Sequence, residues 1–76
     1  MKQSELKQGD KVHYIPFEDC DDSQKENGIV KMIPDHTDFA VFVVYHWNGE
    51  SGDFRDYTAA LTNLRDLKKG WINPSK

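Results

Sequence analysis

The segment Phe39-Ala40-Val41-Phe42-Val43-Val44-Tyr45-His46-Trp47 constrains the fold more than any other part of the chain. From Phe39 to Tyr45 every residue is aromatic, β-branched or Ala. Branched and flat side chains pack well on a pleated surface, so the run favours an extended strand. Side chains alternate faces along a strand. Phe39, Val41, Val43, Tyr45 and Trp47 then share one face, and Ala40, Phe42, Val44 and His46 the other. Both faces are apolar, which predicts a strand covered on both sides or one crossing a tight barrel. A buried helical turn needs a longer, less branched run, and Pro34 upstream and Asn48-Gly49 downstream are turn punctuation.

The remaining sequence has to wrap that strand with little material. Seventy-six residues make one small domain, and a domain of this size buries only roughly 60% of the surface its unfolded chain exposes. A surface groove fits such a body better than a deep catalytic cavity. A single cysteine forbids an internal disulfide, so the core alone must hold the fold, in keeping with a cytoplasmic protein. No apolar segment follows the first few residues, so no leader is expected, and no stretch reaches the length of a membrane span.

Charge is distributed unevenly. The formal net charge is -3. Residues 16–27 hold Glu18, Asp19, Asp21, Asp22 and Glu26 against Lys25, and the rest of the chain is nearly neutral. Such a body lacks the basic footprint of a phosphate-backbone binder.

In chain order, residues 1–8 are polar and read as a frayed lead-in. After the Gly9-Asp10 turn, residues 11–15 form a first strand, stopped by Pro16. Residues 16–27 carry no apolar pattern and read as a long solvated excursion pinned by Phe17. Residues 28–33 form a second strand, with a bend or bulge at Gly28. The central strand is its hairpin partner. Asn48-Gly49 opens a longer turn, and residues 54–61 read as a fourth strand, with a helical turn from Thr58 as the alternative. Thr62 is the expected cap of one short helical turn over residues 63–66. Residues 67–71 make a last strand whose lysines guard an edge, and residues 73–76 are a tail. Together these predict an all-β, five-stranded SH3-like barrel over residues 9–72, with one helical turn before the last strand. A five-stranded OB-type barrel is the rival, though it usually has longer strands and a full helix.

Gly9-Asp10-Lys11-Val12, followed by Gly28-Ile29-Val30-Lys31-Met32-Ile33, resembles the KOW-type pattern of ribosomal and transcription proteins. That resemblance, over residues 9–33, implies an SH3-like barrel that binds RNA or protein. The pattern has a short basic loop where this chain has a long acidic one. A second resemblance rests on the Lys11-Val12-His13-Tyr14-Ile15-Pro16 opening, Cys20, the Glu26-Asn27-Gly28-Ile29-Val30 strand, Val41-Phe42-Val43-Val44-Tyr45 and Asp66-Leu67. It is similar to a set of small bacterial and bacteriophage proteins, and it implies the same barrel and a bacterial or phage cytoplasmic origin.

Reactive side chains are few. Structural zinc takes four ligands, usually in closely spaced pairs, and His13, Cys20, His36 and His46 are scattered. Cys20 is the only thiol nucleophile, and no oxyanion hole is legible around it. Counted from Asp19, the Gly and Glu that a calcium loop needs at its sixth and twelfth positions are Gln24 and Val30. No catalytic residue, metal site or cofactor is therefore expected.

The aromatic set points to binding. Nine aromatics exceed what a small core needs. Tyr14, Phe42 and Tyr45 read first as closing the barrel. Phe17, Trp47, Phe54, Tyr57 and Trp71, from strand ends and loops, read as a ring-lined flank beside the acids Glu18, Asp19, Asp21 and Asp22. The expected function is a non-enzymatic module that docks a protein partner carrying a basic segment. The alternative is a KOW-type nucleic-acid binder using Lys31, Arg55, Lys68 and Lys69 on phosphates. A homodimer through residues 67–71 or through the tryptophans is a further expectation.

Overall fold

The computed structural model describes residues 1–45 and 52–72. Trp47 and the expected tail at residues 73–76 lie outside them. Five antiparallel strands form one sheet: β1 (Lys11–Tyr14), β2 (Glu26–Met32), β3 (Ala40–Val44), β4 (Ala60–Asn63) and β5 (Leu67–Lys69). Their order across the sheet is β4-β3-β2-β1-β5. The described helical elements are all single 3-10 turns. The all-β expectation holds. The ends of the order, β4 and β5, do not pair with each other, so the sheet is not a closed barrel by its strand pairing.

The central strand behaves as its composition requires. On one face Val41 and Val43 are fully buried, and on the other Ala40 and Val44 are nearly so. Val41 and Val43 join Val12, Val30, Leu64 and Leu67 in one core. The strand is shorter than the apolar run. Phe39 precedes the ladder and is 60% exposed, although its parity matches the core.

Glycine at position 28 is demanded by this packing. A Cβ there would stand 2.5 Å from Val43 Cγ1 and 3.0 Å from the Val44 carbonyl oxygen. The irregularity in β2 lies further on, between Val30 and Met32, where the register against β3 shifts. Gly28 thus marks a close approach between strands instead of the bend expected there.

Four other local expectations are corrected. The lead-in is docked: Leu6 is buried in the core, and Gln3 Nε2 donates to the carbonyls of Thr37 and Ala40 at 2.6 and 2.8 Å. Phe17 does not pin the excursion, being 53% exposed, whereas Cys20 is buried. Asp19, at φ 65, reverses the chain between them. Residues 54–56 form a 3-10 turn capped by Asp53, which accepts from the Arg55 amide, so the fourth strand starts only at Ala60. The turn before β5, at Leu64–Asp66, is capped by Asn63, whose side chain accepts from the Arg65 amide. Thr62 is instead a buried β4 residue facing the core, because it pairs with Val41.

Residues 70–72 cross the opposite face of β1 and β2. His13 Nδ1 bonds the Gly70 carbonyl at 2.9 Å, and Trp71 Nε1 donates to the Gly28 carbonyl at 2.6 Å. The Asn27 amide both donates to and accepts from the Ile72 backbone. The last expected strand therefore ends at Lys69, with residues 70–72 acting as a strap.

Candidate functional site

A groove of about 380 Å³ opens where the core face meets the β4 edge of the sheet. Tyr14 ends β1, Glu26 begins β2, and Tyr45 follows β3; they reach the groove together with Asp66 and all four residues of β4. Register explains the convergence. Tyr14 pairs with Glu26 and Val12 with Gly28, so Tyr14 and Glu26 share the core face at one end of the sheet. Tyr45 continues the Val41-Val43 face to the same end.

The two tyrosines meet edge to face, with ring centroids 6.1 Å apart, a favoured geometry for aromatic pairs. The Tyr45 hydroxyl bonds Thr62 Oγ1 at 2.7 Å. Burial pushes the Tyr45 hydroxyl up to about 12; the bond to Thr62 opposes that shift, and the charge of Glu26 and then Asp66 adds to it. Tyr45 is therefore a neutral hydroxyl at physiological pH, in a region of negative potential. Asp66 also lies 3.8 Å from Arg65, a loose and exposed contact. Two ring edges and faces with two carboxylates make a surface that attracts a cation, through Coulomb attraction and the ring quadrupoles.

The residues expected to form the binding flank are dispersed. Glu18, Asp19 and Asp21 are exposed on the excursion with Phe17, and Asp22 opens the 3-10 turn Asp22–Gln24. Phe54 borders a separate hollow with Gly9 and Arg55. Tyr57 is half-buried, its carbonyl accepting from Lys31 Nζ at 2.7 Å. Trp71 belongs to the strap, with Lys11 Nζ 4.6 Å from its ring centre. The gathered rings are instead Tyr14 and Tyr45, which the sequence assigns to barrel closure. Among the acids of residues 16–27, Glu26 alone lines the groove. Asp66 and Thr62 carry no functional signal in the sequence, since only the fold over β4 and its following turn brings them to the tyrosines.

No family model, curated protein or solved structure matches this chain. The site's chemistry therefore has to be argued from its own geometry. Two of the cations expected on phosphates are engaged internally. Arg55 forms a two-pronged pair with Asp53, and that hydrogen bonding pulls Asp53 down to about 2. Lys31 is the second, through the Tyr57 carbonyl. Lys68 and Lys69 are exposed on β5. Among the described residues, no group of three or more His, Cys, Asp and Glu side chains stands close enough to hold a metal ion. His13 is bonded to the strap, and Cys20 is a buried thiol. Among the described residues, no helix is long and apolar enough to cross a membrane.

Proposed function

We propose that this protein is an SH3-like interaction module that captures a basic segment of a partner protein in the Tyr14–Tyr45 groove. The strand order, with β1 between β2 and β5 and a 3-10 turn joining β4 to β5, supports the SH3-like assignment. The single observation that carries the function is the convergence of two rings, Tyr14 and Tyr45, with two carboxylates, Glu26 and Asp66, around one opening. An arginine or lysine entering it meets negative charge and an aromatic wall, while its methylene stem covers Ala60, which shares the Thr62 face. The KOW-type reading has less support, because Lys31 and Arg55 are held by Tyr57 and Asp53.

The test is the association rate of an arginine-bearing peptide with the full chain at low and high salt. The rate is expected to fall with salt, and the fall to shrink in the Glu26→Gln, Asp66→Asn double variant. A rate indifferent to salt in both proteins overturns the proposal. Micromolar binding of single-stranded RNA or duplex DNA that weakens steeply with salt would favour the nucleic-acid reading instead.

A further inference from the structure

The same groove has a second property that a cation pocket alone does not need. Ala60, Leu61, Thr62 and Asn63 all border it. Successive residues of a strand point to opposite faces, so a groove bordered by all four runs along the strand's edge. Among the described residues β4 pairs only with β3, and it ends the sheet. The Leu64 amide bonds the Phe39 carbonyl in the same register, so Thr62 and Ala60 spend their backbone groups on β3, and the outward N–H and C=O groups of β4 are those of Leu61 and Asn63.

The two edges of the sheet differ in chemistry. β5 carries exposed Lys68 and Lys69, the usual guard against pairing with another chain. β4 reads Ala-Leu-Thr-Asn, with neither charge nor proline. Beside it the two faces of the sheet offer different surfaces. On the core side stand Tyr14, Tyr45, Glu26 and Asp66. On the other side Met32, Phe42 and Leu61 lie directly opposite one another across β2, β3 and β4. This apolar rung runs to the edge, with Met32 51% and Leu61 49% exposed.

We infer that the partner segment binds as an added strand on the β4 edge, with basic side chains alternating with apolar ones. The inference rests on the cation-capturing reading of the groove and adds the partner's conformation and pattern. Backbone pairing would hold the segment in place, and side-chain pockets on alternate positions would select it. An added strand continues the pleat of β4. Its residues on the Thr62 side then reach the tyrosines and carboxylates, and those on the Leu61 side extend the rung. A segment basic on both faces would set charge against Leu61 and Phe42, and one apolar on both faces would leave Glu26 and Asp66 without a counter-charge.

A synthetic peptide of alternating arginine and valine, titrated into the full chain, tests this. Only every second N–H of an added strand faces β4. N-methylation of one alternate set is therefore expected to weaken binding at least about tenfold, while methylation of the other set leaves it unchanged. Leu61→Lys, a guard of the kind β5 carries at an already exposed position, is expected to weaken binding, and Leu61→Val to preserve it. Equal effects of the two methylation registers overturn strand addition, yet leave the cation reading standing if citrulline in place of arginine still abolishes binding. Indifference to citrulline overturns the cation reading, and the alternating pattern with it. Dimerisation of the free chain that the Leu61→Lys change abolishes would assign this edge to a second copy and overturn the proposal.

Discussion

Gly28 shows how a single missing side chain can set the geometry of a site. It lies opposite Val12, and a methyl group there would clash with Val43 Cγ1 and crowd the Val44 carbonyl. Val43 is fully buried and cannot retreat without moving the core. Gly28→Ala should therefore cost about 1–3 kcal/mol, the usual range for overpacking, seen as a lower urea midpoint with an unchanged slope. The sequence marks the position but not the reason, because the clash comes from β3 and becomes visible only with the register known. Tyr45, two residues beyond Val43, has a titration that reports on the groove. Its folded pKa, about 12, stands above the ordinary tyrosine value of 10.0. Between those two values the unfolded chain has released the proton while the folded chain keeps it. The stability owed to a neutral Tyr45 is thus fully present below pH 10 and declines as pH rises toward about 12. An absorbance titration should resolve one late tyrosine, and Tyr45→Phe should remove that step and flatten the alkaline loss of stability relative to the parent.

At the scale of elements, what was legible depended on where the partners lie. β1, β3 and the part of β2 from Gly28 follow from local pattern, since each is a branched or aromatic run ended by proline or turn residues, whereas Glu26 and Asn27, read as the end of the excursion, join β2 because they pair with Tyr14 and His13. β4 was displaced because Phe54, Arg55 and Asp56 alternate like a strand, yet Asp53 caps them into a 3-10 turn. The residues that actually pair with β3 include Thr62, whose hydroxyl reads as a cap, and Asn63, which reads as the first residue of the helical turn. The strap at residues 70–72 was invisible for the same reason as the clash at Gly28. Its partners, Lys11, His13, Asn27 and Gly28, are more than forty residues away in sequence. Asn27 is the firmest of these, using both ends of its amide on the Ile72 backbone. Asn27→Ala should release the strap and bare the indole of Trp71. In a Trp47→Phe background, where Trp71 is the remaining indole, its fluorescence should shift to the red and become accessible to iodide. The parent signal should stay partly shielded.

At the scale of the whole molecule, the sheet pairs β4 on one side only among the described residues and relies on the lead-in to complete its core. Composition indicates a small all-β body with thin stability, but it cannot say which polar stretch supplies the missing apolar group. Here it is the lead-in. Leu6 stands alone among charged and amide neighbours, with no periodicity to flag it, and it is nonetheless buried against Val12, Val30 and Leu67 in the core. Gln3 secures the approach by bonding two carbonyls beside the start of β3, and the Gly9 amide then donates to Val30 at 2.8 Å. Residues 1–10 are thus tied to the central strands from both sides. Truncating a buried leucine costs about 2–5 kcal/mol, against a total for small domains that begins near 5 kcal/mol. Leu6→Ala should therefore lower the unfolding midpoint severely and populate unfolded chain without denaturant, whereas Gln3→Ala, which spares the apolar contact, should cost far less. Thermal unfolding followed by circular dichroism separates the two, and equal, small losses would mean that residues 1–8 fray as their polarity suggests and that the core closes without them.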